Sequence, residues 1–237
     1  MTLRDARVLV VGGTSGIGLA TALAFRDAGA RVVVAGRSSE GVARARSAEP
    51  ELEARQLDMT SGPALRSVLD ELGTLDHLVV TAADALAGRL ADLDERRALR
   101  FVESKLWGPC RVIRAALPHL SGDGSITLFS GVASRRASPG FALGSAINAA
   151  VEALAPSLAA ELSPIRVNAV SPGVIDTPVW TERLAELGAD VFGNVVPRLP
   201  VPRAGRAEEV AAAVLFLVES PYVTGTVLTI DGGYLLT

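Results

Sequence analysis

Lysine is almost missing from this chain of 237 residues: of its 23 basic residues, Lys105 is the single lysine and the rest are arginine. Cysteine is nearly absent too. With Cys110 alone, no disulfide can form within the chain, which fits a reducing cytosol. Cys110 lies in an apolar helical pattern with Ile113 and Leu117, so it reads as a small core residue rather than a nucleophile. The two histidines, His77 and His119, have no metal-ligand spacing with Asp84 or each other, so no metal is expected. His119 follows Pro118 at a helix end and reads as a surface residue. An excess of positive charge is also lacking. The net charge of −3 offers no footprint for nucleic acid or an anionic membrane. No apolar run is read as long enough to cross a bilayer; Val8–Val11 and Val32–Ala35 have strand length. The opening Met1-Thr2-Leu3-Arg4-Asp5 lacks the shape of a signal peptide, so a cytoplasmic location is expected.

What is present is a large apolar fraction, 49% of residues, enough for a sizeable core. Strand and helix signals alternate. Arg7–Val11, Arg31–Ala35, Leu52–Leu57, Leu75–Val80, Ser125–Phe129, Ile165–Val170 and Val227–Ile230 read as strands. Helical patterns run over Ile17–Ala28, Pro63–Leu72, roughly Leu93–Leu120, Leu143–Leu162 and Ala207–Val218. Continuous β-branched runs suit strands buried on both faces. The alternation predicts a single doubly wound α/β domain over residues 1–237, with a predominantly parallel seven-stranded sheet and helices on both faces. The irregular stretch from Asp176 to Arg206 reads as a mobile lid over the site.

The first strand runs directly into Gly12-Gly13-Thr14-Ser15-Gly16-Ile17-Gly18, which opens a helix. Gly12 permits a tight turn, Gly16 lets backbone approach a pyrophosphate, and Gly18 lets helix and strand pack closely. The diphosphate of a dinucleotide would rest on the helix N-terminus, where N–H groups and the dipole favour anions. The second strand ends Ala35-Gly36-Arg37-Ser38, with no Asp or Glu to read a free ribose 2′-hydroxyl. Arg37 is placed to pair with a 2′-phosphate instead. NADP(H) is therefore expected, with NAD(H) as the alternative.

From Arg7 to Gly233 the chain resembles the short-chain dehydrogenase/reductase family of the single-domain Rossmann kind. Leu57-Asp58-Met59 resembles the family's adenine-holding element. Arg166-Val167-Asn168-Ala169-Val170-Ser171-Pro172-Gly173 resembles the strand and turn beneath the nicotinamide, followed by Val174, Ile175 and Thr177 where the family contacts the carboxamide. Thr224-Gly225 and Asp231-Gly232-Gly233 resemble its C-terminal signature. The usual Asn-Asn-Ala-Gly after the fourth strand has become Val80-Thr81-Ala82-Ala83, which leaves Ala82 as a cofactor contact. The resemblance also implies a small-molecule substrate and assembly into homodimers or homotetramers, for which the alanine-rich helix Leu143–Leu162 would serve.

The family's chemistry rests on an asparagine, a serine, a tyrosine and a lysine, and here the resemblance fails. Lys105 takes the asparagine's place, in Lys105-Leu106-Trp107-Gly108. Gly131 takes the serine's, with Ser130 one residue early. In Gly144-Ser145-Ala146-Ile147-Asn148, Gly144 replaces the tyrosine and Asn148 the lysine. The only tyrosines are Tyr222 and Tyr234, so no register of this sequence contains Tyr-x-x-x-Lys. Three readings stay open. The protein is an atypical oxidoreductase on a carbonyl or alcohol, with Lys105 supplying a charge or proton and Ser130, Ser145 and Asn148 holding the substrate oxygen. Or it is a non-redox enzyme, such as a dehydratase, isomerase or cyclase. Or it is a silent NADP(H)-binding subunit or sensor. Arg135 and Arg136, between Gly131 and Gly144, are candidates to anchor an anionic substrate, against a solvated loop pair.

Overall fold

A computed structural model describes residues 3–84, 86–178 and 191–237. Of the expected lid, Asp176–Arg206, residues 179–190 lie outside the described residues. Seven strands form one parallel sheet: β1 (Arg7–Val11), β2 (Arg31–Gly36), β3 (Glu53–Gln56), β4 (Leu75–Val80), β5 (Leu120–Phe129), β6 (Arg166–Pro172) and β7 (Val227–Ile230), in the order β3-β2-β1-β4-β5-β6-β7. The chain turns back between β1 and β4, and crevices at such reversals open at the carboxyl ends of the strands.

Alternation along β1 shows why this sheet needs two helical layers. Val8 and Val10 pack into one apolar cluster and Leu9 and Val11 into the other, as a period of two requires. The first cluster is closed by α1 (Gly16–Asp27), through Ala22 and Phe25, by α2 (Ser39–Ala48), through Val42 and Ala45, and by α7 (Ala207–Glu219), through Val210, Val214 and Leu217. The second is closed by α3 (Gly62–Leu72), α5 (Gly108–Ala116) and α6 (Ala142–Glu161), through Leu65, Leu69, Val112, Val151 and Ala155. Full burial of each such side chain stabilises the fold by about 1.5–3 kcal/mol.

Three elements depart from the sequence expectation by more than two residues. α2 carries no long apolar stripe and was not foreseen, although Ser38 caps it by accepting from the Gly41 amide at 3.0 Å. The expected helix over Leu93–Leu120 is instead α4 (Glu95–Val102), a π-helical turn over Glu103–Trp107, and α5. β5 begins at Leu120, earlier than expected, with a register shift between its pairings to Leu75 and His77. The expectation about membrane-length helices is corrected: the twenty residues of α6, at mean hydropathy 1.2, are long and apolar enough to span by length and composition. α6 instead packs Ile147, Val151 and Ala155 inward.

Buried charge is handled by saturation. Arg166 donates to the carbonyls of Leu217 and Val218 at 2.7 Å each and to those of Ser220 and Val223. It thereby satisfies the open C-terminal end of α7. Cys110 is half-buried and burial raises its thiol pKa, which suits the packing role expected of it. His119 is half-buried rather than a surface residue, 3.5 Å from Asp70.

His77, in the middle of β4, is 4% exposed and shares a 3.0 Å hydrogen bond with Ser125 Oγ. Burial pushes its pKa down to about 4, against an opposing pull from Asp76. In the unfolded chain a histidine titrates near 6.5. Acid thus protonates the unfolded state first, and stability present above pH 6.5 is lost as pH falls towards 4. The full gap corresponds to roughly 3 kcal/mol. Urea midpoints at pH 7.5, 5.5 and 4.5 should show this slope in the wild type and a flatter one in His77→Val. Equal slopes would remove His77 as its cause.

Candidate functional site

One cleft of about 500 Å³ runs along the carboxyl ends of the strands. The turn from β1 into α1 forms its floor. Gly12 has φ +92°, and a Cβ there would lie 2.4 Å from Thr81 Oγ1; one on Gly18 would lie 2.1 Å from the Gly12 carbonyl oxygen. Only glycine allows loop, helix and β4 to meet this closely. Ser15 stands at the N-cap of α1, yet its side chain makes no capping bond, and the first turn holds no acidic residue. Among the described residues the first-turn N–H groups thus have no side-chain acceptor, and Gly16, Ile17 and Gly18 line the cleft. That is the observation that fits a phosphate-bearing cofactor.

Of the residues expected from the sequence to touch a dinucleotide, all but Val174 line this cleft. From the turn come Gly12, Thr14, Ser15, Gly16, Ile17 and Gly18. Arg37, Asp58, Met59 and Ala82 line one stretch of wall, and Lys105, Pro172, Gly173, Ile175 and Thr177 another. Val174, beside them in sequence, is buried instead. The Asp58 carboxylate accepts from the amide and hydroxyl of Thr60, both at 2.8 Å. The Thr60 backbone bond, with Arg37 and Arg111 nearby, holds its pKa below the usual carboxylate range despite some burial.

Asp84 is an addition that sequence reasoning missed. Its carboxylate pairs with Arg37 at 3.1 Å, and both residues line the cleft. The acid next to Arg37 in sequence is Glu40, three residues on; the one that pairs with it is brought by the return of the chain after β4. Ser104 Oγ accepts from the Asp84 amide at 3.0 Å and so ties this return to the π-helical turn.

That turn positions Lys105. Pro109 has no N–H, so the carbonyl of Lys105 loses the donor that a regular helix would give it. The helix widens, and the Gly108 amide reaches back five residues to the Glu103 carbonyl. Lys105 is 9% exposed, and its Nζ donates to the Ser130 carbonyl at 3.2 Å. Asn148 and Gly131 face each other across the same wall, since a Cβ on Gly131 would lie 3.1 Å from Asn148 Nδ2. Lys105, Ser130 and Asn148 all line the cleft, whereas Ser145 is not part of its lining. Around Gly144, where the resemblance implies a tyrosine, an added Cβ would meet nothing within 4 Å among the described residues.

Glu152, one turn beyond Asn148 on α6, organises the wall from behind. One of its oxygens accepts from the hydroxyls of Ser130 at 3.0 Å, Ser134 at 2.7 Å and Ser171 at 3.0 Å. Its other oxygen lies 3.5 Å from Arg135 Nε, and its side chain is 15% exposed. A glutamate in an alanine-rich helix reads in sequence as solvated; its partners come from two separate segments, 130–135 and the end of β6. Because the Ser130 proton is directed at Glu152, this hydroxyl presents lone pairs rather than a donor to the cleft.

Known proteins share this architecture. The enoyl-(acyl carrier protein) reductase family matches residues 11–235. The 3-oxoacyl-[acyl-carrier-protein] reductase FabG of Thermotoga maritima is 33% identical over 250 residues, covering 100% of both chains. A solved small-chain dehydrogenase in complex with NADPH is 35% identical, with a TM-score of 0.85 over 98% of this chain and 100% of the other. The MalC reductase/Diels-Alderase of Malbranchea aurantiaca is 31% identical, with a TM-score of 0.87 over 100% of this chain and 98% of its own. Identity of this order across full-length chains, on a shared sheet, cannot arise from fold alone, and this chain belongs to the short-chain dehydrogenase/reductase family.

Proposed function

We propose that the protein is an NADP(H)-dependent oxidoreductase of a small carbonyl or alcohol substrate, with Lys105 in place of the usual proton-transfer residues. The observation that carries this reading is the buried Lys105 side chain bonded to the Ser130 carbonyl, with Asn148 lining the same cleft, whose α1 end is left uncapped by the Ser15 side chain. When bound there, a nicotinamide cofactor supplies or accepts hydride. Gly16 and its neighbours would hold the diphosphate, Asp58 and Met59 the adenine, and Pro172 to Thr177 the nicotinamide side. Lys105 would pass a proton to or from the substrate oxygen, while Asn148 orients that oxygen through its amide.

Cofactor choice is set by Arg37 against Asp84. Their ion pair is exposed on the arginine side, 69% against 29%, and exposed pairs contribute only about 0–1 kcal/mol. A 2′-phosphate offers Arg37 charge-assisted hydrogen bonds of about 1.5–3 kcal/mol each, so the phosphate displaces Asp84. Arg37→Ala should weaken NADPH binding about 10- to 100-fold and leave NADH nearly unchanged. Asp84→Asn should tighten NADPH binding a few-fold by releasing Arg37. Fluorescence titration reads both; an unchanged NADPH/NADH ratio in Arg37→Ala would reduce Arg37 to a surface charge.

A non-redox reading has support of its own. The open space at Gly144 removes the group that ordinarily protonates a carbonyl, and the MalC neighbour is described as both a reductase and a Diels-Alderase. Absorbance at the nicotinamide band separates the two: turnover without net cofactor oxidation would establish the second. The exposed stripe Ala142, Ala146, Ala149 and Ala153 on α6 lets a second copy approach closely, which supports assembly through this helix.

A further inference from the structure

We infer that the substrate is an organic acid whose carboxylate pairs with Arg136 while its reacting carbon lies towards Lys105; this rests on the reading that the cleft takes cofactor and substrate together. Five charged residues line the cleft among those described: Arg37, Asp58, Asp84, Lys105 and Arg136. Both acids belong to the surroundings of Arg37. Away from that end the lining charges are Lys105 and Arg136 alone. Glu152 faces the serines behind the wall and does not line the cleft.

Arg136 is built as a fixed anchor. Its guanidinium stacks over the Tyr234 ring at 4.4 Å from the centroid. Its Nη1 donates to the backbone oxygens of Tyr234, at 3.0 Å, and of Thr237. These bonds all use Nη1 and so leave the Nε–Nη2 edge, the fork that matches a carboxylate in two parallel hydrogen bonds, out of them. Arginine stacked on an aromatic face has already lost the side-chain freedom that ion pairing otherwise costs. Phe141 and Gly144 line the same cleft as Arg136 and Lys105, and a Cβ on Gly144 would meet no atom of the described residues within 4 Å, which leaves room for an apolar body in a cleft that carries both charges. Arg135 has a different task. It turns to Thr229 Oγ1 at 2.6 Å and to Glu152, and it is not part of the lining.

The test is calorimetric titration of NADPH-saturated protein with three acids, benzoate, levulinate and 4-oxocyclohexanecarboxylate, and with their methyl esters. At least one acid should bind ten-fold or more tighter than its ester. Arg136→Met should abolish that preference, Arg136→Lys should keep part of it, and Arg135→Met should keep all of it. The acid-against-ester comparison in the wild type does not depend on any variant folding. If no acid outbinds its ester, or the preference survives in Arg136→Met, the inference is overturned. Cofactor titration is scored separately. Arg136-dependent acid binding without NADPH binding would sink the oxidoreductase reading and spare this one; NADPH binding without acid preference would do the reverse.

Discussion

Lys105→Met should lower turnover by about 10²–10⁴-fold, the usual worth of general acid-base assistance, while the protein keeps its fold and its cofactor affinity within a few-fold. Methionine retains the length and apolar stem of lysine but has no donor. The bond from Nζ to the Ser130 carbonyl is lost, a cost of about 1 kcal/mol that a stable domain absorbs. Lys105→Arg separates the two roles open to an ammonium here. Arginine restores positive charge but does not deprotonate at accessible pH. Activity lost in both variants identifies proton transfer; activity kept by the arginine variant identifies electrostatic support. Steady-state kinetics on a carbonyl panel with NADPH reads both. A methionine variant within a few-fold of wild type would make Lys105 a bystander.

Glu152→Ala should cost about 3–5 kcal/mol of stability, the range seen when one partner of a buried charged network is removed. Three serine hydroxyls lose a shared acceptor at once. Ser130 has a fallback in the Val170 carbonyl at 3.4 Å. Glu152→Gln should cost less, about 1–2 kcal/mol, because the amide oxygen still accepts while its nitrogen cannot. Urea unfolding checks this, as a lower midpoint at unchanged slope. A loss below about 1 kcal/mol in the alanine variant would show that water replaces the carboxylate. Glu152 also reaches Lys105 indirectly, since it fixes the residue whose carbonyl receives Nζ.

What was legible in the sequence follows the range of the forces involved. β1 and β4 begin and end where the sequence places them, because burial on both faces leaves a local trace. The glycine turn was legible because contacts at 2.1–2.4 Å from a missing Cβ permit one residue type. α2 was not, since only Gly41, Val42 and Ala45 are buried along its ten residues and small or charged side chains fill the rest. Asp84 beside Arg37, Tyr234 beneath Arg136, and Glu152 among three serines were hidden for one reason: each pairing joins residues far apart in the chain, and neither partner carries a sign of the other. The widened turn at Lys105 was half-visible, since Gly108-Pro109 announces a break but not that the lysine would be turned inward by it.

The inward turn of the single lysine has a consequence outside catalysis. Apart from the α-amino group, Lys105 is the one primary amine of the chain, and it stands in the cleft wall. An amine-selective acylating reagent therefore finds one internal target, and its access runs through the space that a bound dinucleotide fills. Counting acyl groups by mass spectrometry turns the scarcity of lysine into an occupancy gauge, one that reports what enters the cleft before any substrate has been identified.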